Sequence, residues 1–206
     1  MKQRILVTGG AGYVGSLLVP QLLLDGYKVT VYDTMWYGNN FLDKHHPDLT
    51  LVSGDIRDSS RFALAVAKHD AVINLACIST DSSFELNEGL STSVNLDAFR
   101  PMVIASKKAG VQRFIYASSS SVYGVSDSPD VTEDHPLVPL TLYNKYKGVC
   151  EPFLLEEVSN DFVGTVLRPA TLCGFAPRQR LDLSVNILTN HGYNNGVVRV
   201  FGGDQM

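Results

Sequence analysis

Only one of the nine tyrosines, Tyr143, has a lysine four residues later, Lys147. Positions i and i+4 share one face of a helix, so the phenol and the ammonium can point into one cleft. An ammonium beside a phenol favours tyrosinate, lowering a pKa that is about 10 when free. Such a tyrosine can take a proton from an alcohol and return it in the reverse step. The spacing alone fits an exposed surface pair equally well.

A second constellation decides between these readings. Thr8-Gly9-Gly10-Ala11-Gly12-Tyr13-Val14-Gly15 satisfies G-x-G-x-x-G as Gly10, Gly12 and Gly15, and G-x-x-G-x-x-G as Gly9, Gly12 and Gly15. Both patterns supply a tight turn, close backbone approach to a pyrophosphate, and contact between helix and strand. A helix starting here aims free N–H groups at the phosphates. The strand-turn-helix context argues against a ligand-free glycine turn. Asp33 closes the next strand, where a carboxylate accepts from adenosine ribose hydroxyls and repels a 2′-phosphate, which favours NAD over NADP. Gly54-Asp55-Ile56 and Asn74-Leu75-Ala76-Cys77 close the two strands after that. Asp55 is placed to meet the adenine amino group, and the small residues let backbone pass near the ribose. Ser118-Ser119-Ser120-Ser121 follows a further strand, where a serine can hydrogen-bond the reacting oxygen.

These groups need a scaffold. Apolar runs at 4–8, 28–33, 49–53, 71–76, 113–118 and 163–168 read as strands. Helical patterns at 14–24, 59–68, 91–108 and 143–158 separate most of them, the 91–108 helix stopping at a left-handed Gly110 cap. Continuous apolar strands between helices predict an α/β, Rossmann-type doubly wound parallel sheet. Pro20, Pro101 and Pro152 fall in or near helices and predict kinks or shifted boundaries.

The 206 residues are 45% hydrophobic and 18% charged, ordinary for a globular protein, and the net charge of −4 offers no field to gather nucleic acid. Cys77, Cys150 and Cys173 lack metal-ligand spacing and read as reduced thiols of a cytoplasmic protein. His45, His46 and His135 also lack ligand spacing, so no metal is expected. No apolar run approaches the ~18 residues of a spanning helix, and no membrane partner is expected.

Taken together the residues resemble the extended short-chain dehydrogenase/reductase superfamily, in its NAD-dependent nucleotide-sugar epimerase and dehydratase branch, with UDP-glucose 4-epimerase-like members. The likeness runs through the glycine loop, Asp33, Gly54-Asp55-Ile56, Asn74-Leu75-Ala76, Asn95 and Ser118 through Gly124. It continues through Glu133, Pro136, Pro139, the Tyr143/Lys147 pair and Arg168-Pro169-Ala170. The resemblance implies Ser119, Tyr143 and Lys147 as the catalytic set, Lys147 also holding the nicotinamide ribose. It implies NAD contacts from Gly9, Gly12, Tyr13, Val14, Gly15, Asp33, Asp55, Ile56, Leu75, Ala76, Cys77, Ser118, Pro169 and Ala170. Asn74 stands where relatives often carry histidine.

Dehydratases of this branch carry an acid between the catalytic Ser/Thr and Val-Tyr-Gly; here Ser120 and Ser121 hold those positions. The pattern therefore looks more like a 4-epimerase, with a keto-sugar reductase and a non-catalytic NAD-binding sensor or scaffold as the alternatives. The resemblance also implies a nucleotide-sugar substrate and a homodimer packed through the helices near 91–108 and 143–158, with Val103, Ile104, Val149 and Phe153 serving either interface or core. Residues 1–170 then form the NAD-binding domain, and 171–206 begin a substrate-binding region that is truncated at Phe201–Met206. Arg178 and Arg180 suit a diphosphate as well as an ordinary surface.

Overall fold

A computed structural model describes residues 2–79 and 86–200; the closing stretch, Phe201–Met206, lies outside the described residues. The six expected strands form: β1 (Arg4–Thr8), β2 (Lys28–Asp33), β3 (Leu49–Ser53), β4 (Ala71–Asn74), β5 (Arg113–Ala117) and β6 (Val163–Leu167). They make one parallel sheet in the order β3-β2-β1-β4-β5-β6. The chain steps outward from β1 to β3, then returns to β4 on the other side. That reversal leaves a crevice beyond the carboxyl ends of β1 and β4, the usual ligand position in a doubly wound sheet.

The first helices are α1 (Gly15–Leu24) and α2 (Ser59–Val66), the latter capped by the Asp58 carboxylate accepting from Arg61 N at 2.9 Å. α2 stops two residues short of the expected end, and β4 ends at Asn74 rather than Ala76. The helix expected at 91–108 is built in three pieces: α3 (Glu88–Thr92), a π-turn (Ser93–Asp97) and α4 (Phe99–Lys108). Ala98 N donates to Ser93 O at 3.2 Å, an i→i−5 bond. Pro101 explains the break, because its ring clashes with the carbonyl four residues earlier and it has no N–H to donate. Gly110 closes α4 with φ +82°, and its N–H and that of Val111 return to Lys107 O and Ser106 O.

A short 3₁₀ turn (Ser120–Tyr123) leads to α5 (Leu142–Leu155), which carries Pro152, as α1 carries Pro20, within its span. A helix not foreseen from the sequence, α6 (Ser184–Asn195), follows β6.

Two apolar layers sandwich the sheet. Phe62, Phe99, Met102, Val103, Phe114, Cys150 and Leu154 fill one face; Ile5, Val7, Val19, Val29 and Val31 fill the other. Val103 is thus a core residue and unavailable to an interface, whereas Val149 is exposed on α5.

Candidate active site

The glycine loop lies where β1 meets α1, and its geometry leaves no room for side chains. Gly9 has φ +70°, and a Cβ there would sit 2.6 Å from Ala76 N, just past the end of β4. At Gly15 a Cβ would come within 2.6 Å of Gly10 Cα, and at Gly12 within 3.1 Å of Gly9 O. The loop is closed by Gly12 N donating to Gly9 O at 3.0 Å, and by Gly9 N donating to Tyr32 O at 3.0 Å. Val14 enters α1 without a side-chain cap, which leaves the helix terminus to an anion. A backbone cradle that any Cβ would fill, at a helix N-terminus, fits the pyrophosphate of a dinucleotide.

Asp33 sits at the end of β2. Its carboxylate accepts from Ala11 N at 3.0 Å and from Met35 N at 2.8 Å, bracing the glycine loop against the β2 turn. Each oxygen keeps a second lone pair for a ribose hydroxyl. Asp55 is less free than its sequence position implies. Arg57 grips it bidentately, at 2.6 to 3.1 Å, and holds the carboxyl below its usual range. Ile56 is buried in the core beside it.

Thr8 donates to Asn74 Oδ1 at 2.5 Å, so the Asn74 side chain is spent inside the sheet. Leu75 N donates to Thr8 O at 3.0 Å and Ala76 N to Thr8 Oγ1 at 3.4 Å, which carries the small residues and the half-buried Cys77 past Gly9. Asn95, buried in the π-turn, pairs both ways with Ile78, at 2.8 Å each, and fixes that loop.

Tyr143 and Lys147 lie on α5 as expected. The Lys147 ammonium is buried, donates to Ala117 O at 2.6 Å, and stands 5.8 Å from the Tyr143 ring centre and 5.0 Å from that of Tyr116. Ser119 reaches the same helix through a relay: its hydroxyl meets Ser121 Oγ at 2.5 Å, and Ser121 donates to Asn144 Oδ1 at 2.7 Å. Because the Ser121 proton goes to Asn144, Ser119 is the donor in the first link. Asn144 adjoins Tyr143, so the hydroxyl and the phenol are held from one helical turn.

Ser118 is buried and donates to Glu151 Oε1 at 2.5 Å; its N–H donates to Leu167 O at 2.8 Å. Pro169 O accepts from Ser120 N at 3.0 Å, and Ala170 follows, exposed. Sequence reasoning missed Glu151, which also receives the Arg168 guanidinium at 2.6 Å. Its signal was present, since 143, 147 and 151 fall at i, i+4 and i+8 of one helical face. Asn144 and Asn186 carried no motif that would have singled them out.

Arg180 lies between the end of β6 and α6. It donates to Ser79 Oγ at 2.9 Å and pairs with Asp182 at 2.6 Å, and the Asp182 hydrogen bond holds its pKa above the ordinary guanidinium value. Cys150 is chemically quiet: burial pushes its thiol up to about 12. Among the described residues no group of three or more His, Cys, Asp or Glu is placed to hold a metal. No helix among them is long and apolar enough to cross a membrane.

The glycine cradle at the carboxyl edge of a doubly wound sheet fits a dinucleotide, and comparison identifies the family. The profile of the NAD dependent epimerase/dehydratase family matches residues 5–204, and the chain belongs to that family. It is 35% identical to a 3-beta-hydroxysteroid dehydrogenase of Mycolicibacterium neoaurum over 199 residues, 91% of this chain and 53% of that protein. It is 32% identical to the UDP-glucose 4-epimerase of Rhizobium meliloti (strain 1021) over 152 residues, 73% of this chain and 45% of that protein. The crystal structure of DesIV, a dTDP-glucose 4,6-dehydratase from Streptomyces venezuelae with NAD and TYD bound, superposes with a TM-score of 0.82 at 27% identity. The match covers 95% of this chain and 64% of that one. The chain thus spans about half the length of the curated relatives it matches.

Proposed function

We propose that this chain is the NAD-binding part of a nucleotide-sugar epimerase, 4-epimerase-like, acting on a secondary alcohol of the sugar. The observation that carries the reading is the convergence of Ser119, Lys147 and the Tyr143 helix at the carboxyl edge of β5. Bound against the glycine cradle, NAD supplies the acceptor and later the donor of a hydride. Tyr143 removes the hydroxyl proton as the carbon is oxidised and returns it when the carbon is reduced from the opposite face. Lys147 favours the tyrosinate by its charge and reaches a ribose hydroxyl. Ser119, positioned by Ser121 and Asn144, orients the reacting oxygen by turning its hydroxyl proton from Ser121 to that oxygen when the sugar binds. Electrons and protons balance over the cycle, so the cofactor ends as it began.

Dehydration is disfavoured because Ser120 and Ser121, the latter donating to Asn144, stand where that chemistry uses an acid. A hydroxyl with a pKa far above neutrality does not abstract a carbon-bound proton at pH 7. Residues from 171 onward serve as the start of a substrate-binding region, and the active form is a homodimer.

The similarity to a hydroxysteroid dehydrogenase favours a second reading, net oxidation or reduction of a carbonyl compound. Arg180, whose guanidinium donates to Ser79 Oγ at 2.9 Å beyond β4, argues for a charged, hydroxyl-rich substrate over a sterol. The test is to supply the full-length protein with UDP-glucose and follow both UDP-galactose and NADH. Interconversion without net NADH supports the epimerase. Stoichiometric NADH with a keto product identifies a dehydrogenase. Neither product, from any nucleotide sugar or sterol tried, supports a binding protein.

A further inference from the structure

We propose that residues 174–186 form a strap that closes over the glycine loop and keeps the dinucleotide resident, with the Tyr13 hydroxyl as its clasp. The inference rests on the cofactor reading above and adds residues that no glycine motif contains.

Tyr13 projects from the middle of the glycine loop. Its hydroxyl donates to Gly174 O at 2.7 Å and accepts from Asn186 Nδ2 at 3.1 Å. Asn186 is buried and organises the strap itself, accepting from Gly174 N and donating to Arg180 O, each at 2.8 Å. Two further contacts spread along the crevice. Arg178 N donates to Ser16 Oγ at 3.4 Å, in the first turn of α1, and Arg180 reaches Ser79 beyond β4 at 2.9 Å. The Arg178 guanidinium lies 3.9 Å over the Tyr37 ring, four residues after Asp33. The strap therefore touches the segments following β1, β2 and β4, the three strand ends between which the dinucleotide lies.

The electrostatics point to an anion beneath it. The N-terminus of α1 carries a partial positive charge, and the strap brings a further donor to it, the Arg178 backbone N–H at Ser16 Oγ. Among the described residues Arg178 has no carboxylate within ion-pair distance, and Asp182 is taken by Arg180. A pyrophosphate would answer the uncapped end of α1. The contacts described between the strap and the glycine loop are hydrogen bonds, which must break before a cofactor enters or leaves. A reaction that regenerates its own NAD has use for such a closure.

Trp36, the chain's single tryptophan, adjoins Tyr37 and gives an optical reporter. The experiment measures NAD⁺ affinity, loading and release on this chain by tryptophan fluorescence, and NAD carried through purification by chromatography of the denatured protein. Tyr13→Phe removes only the hydroxyl; it should accelerate both loading and release about tenfold, as expected for two lost hydrogen bonds. Asn186→Ala should act in the same direction, and Arg178→Ala should weaken NAD⁺ binding while sparing adenosine, which lacks the pyrophosphate. Tyr193→Phe, on an exposed side chain of α6, should change nothing. Circular dichroism verifies that each variant is folded. Release from Tyr13→Phe within twofold of wild type, with NAD⁺ still bound, overturns the strap alone. Wild-type protein that takes up no NAD⁺ overturns the cofactor reading and the strap with it.

Discussion

The Lys147 ammonium donates to the Ala117 carbonyl at 2.6 Å, which pins a positive charge at the last residue of β5. The same lysine stands 5.8 Å from the Tyr143 ring, so one cation is shared between strand end and phenol. A lysine on a flexible stem is ordinarily a mobile charge; here burial and a backbone acceptor fix it.

Removing the phenol hydroxyl should therefore end proton transfer and leave the scaffold intact. Tyr143→Phe should lower kcat by about 10²- to 10⁴-fold with little change in NAD⁺ affinity, measured on a confirmed substrate. Lys147→Met should lower kcat as well, because it removes the cation fixed beside the Tyr143 ring. Full activity in Tyr143→Phe would remove Tyr143 from the mechanism.

Glu151 carries more of the fold than its position outside every motif suggests. It is 3% exposed, paired with Arg168 at 2.6 Å and bonded to Ser118. Glu151→Ala leaves the Arg168 charge without its partner and should destabilise by about 3 kcal/mol, read from urea unfolding. A loss under about 1 kcal/mol would mean that water replaces the carboxylate.

Thiol labelling separates the cysteines by environment. Cys173 is exposed, whereas Cys150 is fully buried, donates to Asn95 O at 3.3 Å, and has its thiol pushed up to about 12. Iodoacetamide at pH 8 should alkylate Cys173 within minutes and leave Cys150 untouched until denaturant is added, as peptide mass mapping would show.

His69 predicts an acid-side loss of stability. Its Nε2 meets Thr30 Oγ1 at 2.8 Å while Nδ1 faces the Val66 and Ala67 carbonyls, and burial pulls its pKa below the free value. The unfolded chain then binds a proton that the folded one resists. Stability should fall as pH drops below about 6.5, the unfolded value, and level off once the folded imidazole is also protonated. Thermal melts between pH 7.5 and 5 should trace this, and His69→Gln should flatten it.

Much of this molecule is legible in the chain because the signals are local. Six apolar runs marked the strands within a residue or two, and glycines whose Cβ would strike Ala76 N or Gly10 Cα marked the cradle. The i, i+4 spacing marked Tyr143 and Lys147. What escaped depends on distant partners. Nothing near Asn144 announces Ser121, and nothing near Asn186 announces Tyr13, 173 positions away. The π-turn at Ser93–Asp97 was hidden because periodicity treats Pro101 as a flaw in one helix, whereas the backbone adjusts upstream of it. Nothing in the Gly54-Asp55-Ile56 turn announces that Arg57, two residues on, folds back onto the Asp55 carboxylate.

Among the described residues β6 borders the sheet, and Val163 and Leu167 upon it are about half exposed. A border strand with one unsatisfied ladder and bare aliphatic groups is adhesive. Preparations of this segment should self-associate as concentration rises, and a lysine in place of Val163 should improve solubility. The same strand hands on to Arg168 and Pro169, so whatever seats against that border also steadies the floor beneath the serines.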